Sequence, residues 1–165
     1  MKGAHTLGEG LLRDQGDHIV GYAGATICPL ADDLKEPPEI GYTLVRTEQN
    51  AGHMASGYAR MSGKVGVCMV TSGPGATNLS NGIATAYMDS IPMVAITGQV
   101  PSNLLGQDII PAADITGSLP PFHKRSCLVT DAHAHPPVAK QACHIAPPAR
   151  PRPRPHTPHT TRTHY

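Results

Sequence analysis

The chain has 165 residues, 39% apolar and only 4% aromatic, with 17 Gly and 17 Pro. That is room for one domain whose core must be built from Ala, Val, Ile, Leu and Met. No run approaches the ~20 apolar residues that a bilayer span needs. Met1–Gly10 has no apolar stretch behind a basic start, so neither a membrane nor a secreted protein is expected. The net charge of +1 hides an asymmetry. Up to Ile115 there are 6 Lys/Arg and 11 Asp/Glu; from Thr116 on there are 7 Lys/Arg and a single acid, Asp131. Two segments of different character are therefore expected.

In chain order, Ala4, Leu7, Leu11 and Leu12 recur at helical spacing and Gly16 is placed to end that helix. His18-Ile19-Val20 reads as a short strand that gives way to the turn Gly21–Gly24. Pro29–Lys35 reads as a short helix closed by Pro37-Pro38. Tyr42–Val45 is a second strand. Gln49–Met61 is a helix with Met54, Ala55, Tyr58 and Ala59 on one face, capped by Gly63. Val65–Val70 is a near-continuous apolar run, as expected of a strand buried on both faces. The turn Thr71–Gly75 leads into a helix predicted over Ala76–Met88, and Pro92–Thr97 is another buried strand.

This alternation implies a parallel α/β sheet flanked by helices on both faces, over residues 1–146. Ligands bind such sheets outside the carboxyl ends of the strands, which singles out the loops Gly21–Ala25, Arg46–Gln49 and Thr71–Asn78. Beyond Ile115 the pattern weakens to a strand at Cys127–Val129 and a helix at Val138–Ile145. Residues 147–165 hold six Pro, four Arg, three His and no acid, and are expected to be a disordered tail.

Glu48 sits where a strand gives way to a helix. It is either a functional carboxylate facing the ligand crevice or a first-turn residue favoured by the helix dipole. Ser72–Asn78 is either a loop whose backbone approaches a ligand or a tight turn that needs Gly for its dihedrals. It lacks the third Gly of a dinucleotide fingerprint and the Lys of a P-loop. The His and Cys residues have no metal-ligand spacing, so no metal site is assigned to this chain and the four thiols are expected to be reduced. The Arg-Pro repeat at Arg150, Arg152 and Arg154 lacks interleaved aromatics, and nucleic acid is not an expected partner.

A longer pattern carries more. Leu44–Gln49, His53-Met54-Ala55, Gly57–Arg60, Gly63–Cys68, Thr71–Asn78 and Gly82–Pro101 resemble the large catalytic subunit of acetolactate synthase (acetohydroxyacid synthase). The resemblance runs from Met1 to about Pro153 and lies in that family's N-terminal domain, which binds the pyrimidine of thiamine diphosphate. It implies a cytoplasmic enzyme of branched-chain amino-acid biosynthesis that joins two pyruvates with loss of CO₂, or pyruvate with 2-oxobutyrate. It implies thiamine diphosphate, Mg²⁺ and FAD as cofactors. A homodimer or an intact catalytic subunit, and a regulatory small subunit, are the implied partners.

By the same resemblance, Glu48 is the catalytic carboxylate. It hydrogen-bonds a pyrimidine nitrogen and favours the imino tautomer that deprotonates the thiazolium carbon. Tyr22, Gly24, Pro74 and Asn78 match positions beside the cofactor. Pro101 matches the substrate-channel wall, and Arg150 matches an FAD contact. The departures are Ala25 in place of a Gly, expected to crowd or strain the cofactor turn; Asp108–Ala112, which lacks Phe-Gln-Glu; His123-Lys124-Arg125; and the polar residues after Arg150. The family's FAD-associated domain and its Mg²⁺-diphosphate domain have no counterpart in these 165 residues. The expectation is a truncated chain, inactive alone. The alternative is a non-catalytic fragment or frameshifted product, or an interaction module that docks on an intact subunit.

Overall fold

The computed structural model describes residues 3–13, 16–34, 39–99, 122–129, 131–147 and 159–163. The elements are α1 (Gly3–Arg13), β1 (His18–Tyr22), α2 (Cys28–Asp33), β2 (Gly41–Leu44), α3 (Glu48–Ser62), β3 (Gly66–Val70), α4 (Pro74–Asn78), α5 (Ser80–Met88) and β4 (Met93–Gly98). They are followed by β5 (Arg125–Val129), a 3₁₀ turn, α6 (His135–Ile145) and β6 (His159–Thr163). Six strands pair in the order β2-β1-β3-β4-β6-β5, and every pairing is parallel. The expected parallel α/β sheet is therefore present.

Alternation along the strands sorts the core into two layers. Ile19, Val67, Met69, Val94 and Ile96 pack with Leu7 and Leu11 of α1, Leu30 of α2, and Ala139 and Ala142 of α6. Val20, Cys68, Val70 and Ala95 pack with Ala51 and Ala55 of α3, and with Leu79, Ile83 and Ala86 around α5. β3 and β4 are buried at every residue. The four cysteines are free. Burial pushes the Cys68 thiol up to about 12, so it serves as core filler and not as a nucleophile.

Helix ends follow local chemistry. The Thr47 side chain caps α3 by accepting from the Asn50 N–H at 3.3 Å, and Gly63 closes it at φ 71°. Beyond the end of α5, Ser90 takes the left-handed position at φ 59°. There the Ser90 N–H reaches the Tyr87 carbonyl at 3.1 Å and the Ile91 N–H reaches Ala86 at 2.8 Å, the two bonds of a Schellman cap.

The structure departs from the sequence reading in two places. The helix expected over Ala76–Met88 is two helices, broken at Leu79, whose N–H bonds Ala76 at 3.2 Å while its side chain is fully buried. Ala25 is exposed and has no positive φ, so the strain expected there is absent. Within the segment expected to be a disordered tail, Pro147 and His159–Thr163 are described. His159–Thr163 form β6 between β4 and β5, with Thr161 opposite Ile96 and Cys127. Three β-branched threonines in five residues suit an extended chain, and their backbone completes the ladders of β4 and β5. Residues 148–158, Arg150 among them, lie outside the described residues.

At the amino end of the sheet, Asp17 accepts from Lys64 Nζ at 2.5 Å and from the Tyr58 hydroxyl at 2.7 Å. The Tyr58 ring stacks on His18, and His18 Nε2 bonds Thr43 Oγ1 at 3.0 Å. The Lys64 ammonium first, and the Tyr58 hydroxyl second, hold the Asp17 carboxyl below its ordinary value of 3.8. A depressed carboxyl stabilises the fold fully above its unfolded value, and that contribution is lost as pH falls through the folded one. The expected result is that Asp17→Asn is less stable than the parent in urea at neutral pH, with the gap closing as pH falls below the ordinary carboxyl value of 3.8. A gap that stays constant across this range excludes the assignment.

Candidate cofactor site

In this strand order the chain moves from β1 outward to β2, then returns to the other side of β1 to form β3. The reversal opens a crevice outside the carboxyl ends of β1 and β3. Three connections meet that end: β1–α2 with Gly24, β2–α3 with Thr47 and Glu48, and β3–α4 with Thr71–Gly73. They overlap the three loops singled out by the sequence, of which Glu48–Gln49 begin α3 and Pro74–Asn78 form α4.

Glu48 is the first residue of α3 and is half-buried. Its Oε2 accepts from Asn78 Nδ2 at 3.1 Å. Asn78 is free to turn there because α4 ends on it. The Thr77 hydroxyl bonds back to the Pro74 carbonyl at 2.8 Å, and Leu79 breaks the helix. The other carboxylate oxygen, Oε1, faces Gly75: a Cβ added there would lie 3.0 Å from it. So Gly75 puts no side chain against a carboxylate that Asn78 already orients. A carboxylate is the group that a protonatable ring nitrogen would meet, and in its chemistry Glu48 fits the pyrimidine end of thiamine diphosphate.

The floor is a stack of backbone and one side chain. A Cβ on Gly24 would fall 2.5 Å from Thr71 Cβ, and a Cβ on Gly75 would fall 2.5 Å from Thr71 Cγ2. Thr71 thus lies between two glycines that must both be bare. Gly24 is required by this close approach and not by its dihedrals, since only Gly63 and Gly73 among the described glycines have positive φ. Gly73 does make the sharp turn, at φ 60° and ψ −128°.

Of the residues expected at the site, Glu48 and Asn78 are in direct contact. Tyr22 ends β1 opposite Val70 and packs on the core layer beneath α3 and α5. Pro74 is exposed at the first position of α4. Pro101 and Arg150 lie outside the described residues, as does Asp108–Ala112. Lys124, within a triplet that departs from the family pattern, donates to the carbonyls of Ile145, Ala146 and Pro147 at 2.8, 3.1 and 3.2 Å. It caps the end of α6, and burial lowers its pKa. Sequence reasoning missed Thr26 and gave Thr71 only as the start of a loop. Nothing local marks a hydroxyl whose partner lies 45 positions away in the chain.

Comparison with known proteins identifies the family. The family described as "Thiamine pyrophosphate enzyme, N-terminal TPP binding domain" matches residues 1–118. The chain is 48% identical to an acetolactate synthase of Arthrospira platensis over 93% of its own length and 27% of that protein. It is 46% identical to an acetolactate synthase large subunit of Corynebacterium glutamicum over 93% of itself and 24% of the relative. For an acetolactate synthase of Mycobacterium bovis the figures are 50%, 82% and 22%. The chain spans about a quarter of the length of these relatives. With a matched stretch that covers α1 through β4 and every described residue of the crevice, the chain belongs to the thiamine pyrophosphate enzyme family, as its N-terminal TPP-binding domain.

Proposed function

We propose that this domain holds the aminopyrimidine of thiamine diphosphate and that Glu48 is its catalytic carboxylate. The observation that carries the reading is the pair of environments at Glu48: Oε2 is tied to Asn78, and Oε1 looks over the bare Gly75. Asn78 fixes the carboxylate plane, so Oε1 is aimed before any ligand arrives. Glu48 would hold or release a proton at Oε1 for the ring nitrogen of the bound group, and Gly24, Thr71 and Gly75 would line the site beside it. When bound, thiamine diphosphate supplies the carbanion chemistry of carboligation.

The whole reaction proposed is the joining of two pyruvates, or of pyruvate and 2-oxobutyrate, in branched-chain amino-acid biosynthesis in the cytoplasm. Mg²⁺ and FAD would be held mainly outside this domain. The diphosphate and its Mg²⁺ would be held by a second chain docked against this one, and without it the 165 residues make no acetolactate. Leu44, Met54 and Met61 support such docking, because they are 65%, 45% and 89% exposed around the helix that begins at Glu48.

Saturation-transfer NMR on the full chain tests the cofactor reading. Thiamine is expected to receive saturation at its pyrimidine protons, and Glu48→Gln to abolish that signal. Equal signals from parent and variant would sink the proposal.

A further inference from the structure

We infer that Thr26 is a positioning residue for the Glu48 site, a role that rests on the cofactor reading above. One hydroxyl at Thr26 meets three groups. Its Oγ1 lies 2.8 Å from Thr71 Oγ1, donates to Ser72 Oγ at 3.3 Å, and accepts the Ser72 backbone N–H at 3.1 Å. Spending its one proton on Ser72 leaves Thr71 as the donor in the shortest of the three. The end of β4 closes on the same atom, since a Cβ on Gly98 would fall 2.5 Å from Thr26 Oγ1. Thr26 is itself held by the turn at Gly24, whose carbonyl accepts from Ile27 and Cys28 at 2.9 and 3.0 Å. The hydroxyl therefore joins the loops after β1 and β3 across the crevice, with the end of β4 against it.

The consequence runs through Thr71. A threonine has three staggered rotamers that exchange its methyl and hydroxyl. The bond to Thr26 selects the one with the hydroxyl towards Thr26 and Cγ2 against Gly75. Gly75 in turn borders Glu48 Oε1. Without the Thr26 hydroxyl, the Thr71 hydroxyl loses the bond at 2.8 Å and turns to seek another partner. Its methyl leaves Gly75, and the α4 turn that carries Asn78 is no longer fixed beneath Glu48.

The test uses the full chain and ¹H–¹⁵N spectra without ligand. Thr26→Val keeps the shape and removes the hydroxyl; Thr26→Ser keeps the hydroxyl. In Thr26→Val, the Gly75 amide and the Asn78 side-chain amide are expected to shift, while the Gly63 amide at the far end of α3 stays. Thr26→Ser is expected to return both signals to the parent positions. Should Thr26→Val not fold, Thr71→Val removes the same bond from the other side and must move the same two signals. Thr43→Val, which removes a hydroxyl at the amino end of the sheet, must leave both in place.

Unmoved Gly75 and Asn78 signals in Thr26→Val, or equal shifts in Thr26→Ser, overturn the inference. Thiamine titrated into the same samples is expected to bind about tenfold more weakly to Thr26→Val. If the parent itself binds no thiamine, the cofactor reading fails, while the spectra still decide whether Thr26 sets the geometry at Glu48.

Discussion

Glu48→Gln is expected to lower acetolactate turnover by about a hundred- to ten-thousandfold, the range for removing a placed proton-transfer group. The assay places residues 1–99 of this chain in the matching segment of the Corynebacterium glutamicum relative, so that the remaining domains are supplied. Glutamine has the same size as glutamate, so Gly75 still clears it. Its carbonyl still accepts from Asn78. What it lacks is a proton to exchange with a ring nitrogen. The variant therefore separates the two roles open to a carboxylate at the first position of a helix. If Glu48 only complements the α3 dipole, the glutamine costs about 0.3–1 kcal/mol of stability and leaves turnover alone. If it is the catalytic carboxylate, turnover collapses while the thermal midpoint moves little. A Gln variant within about threefold of the parent in turnover would leave only the dipole role.

Where the fold was legible in the sequence, a local rule coincided with the tertiary outcome. Gly63 closes α3 because a left-handed residue acts within one turn of the chain. The apolar runs of β3 and β4 announce strands with both faces covered. Parallel strands put the three loops at one end of the sheet, so the approximate place of the site followed from topology. What stayed hidden depends on partners distant in sequence. Ala76 to Met88 reads as one helix, and the break at Leu79 comes with a side chain buried in the layer beneath α3 and α5. The polar run His159–Thr163 carries no apolar signal, yet its backbone fills the slot between β4 and β5. Gly24 and Gly75 read as turn glycines, whereas the structure requires them for the space that Thr71 takes up. Glu48 itself remained ambiguous until the family resemblance was weighed, because the dipole and the chemistry ask for the same residue at the same position.

The glycines of α3 and β3 give the second large effect, and its sign reverses between two positions. Gly66 begins β3 directly beneath α3. A Cβ there would fall 2.2 Å from the Ala55 carbonyl oxygen and 2.8 Å from its carbon. Both are backbone atoms of a helix interior, so no side chain can swing aside. The helix as a whole must lift from the sheet, which uncovers Ala51, Ala55 and Cys68, all fully buried. Gly66→Ala is therefore expected to cost about 3 kcal/mol or more, at or above the usual limit for overpacking. Against a total stability of roughly 5–15 kcal/mol for a native domain, that is enough to populate the unfolded chain.

Gly57 sits on α3 too, but a Cβ there meets nothing within 4 Å. Alanine at this position restricts the unfolded chain and improves helix propensity, so Gly57→Ala is expected to stabilise by about 0.5–1 kcal/mol. Urea midpoints of the two variants read both signs in one experiment. The sites share no partner, so their effects should add, and the double variant remains about 2 kcal/mol or more below the parent. A Gly66→Ala chain as stable as the parent would mean that α3 does not rest on β3 at this distance. The orientation of Glu48 at the head of that helix would then need another support.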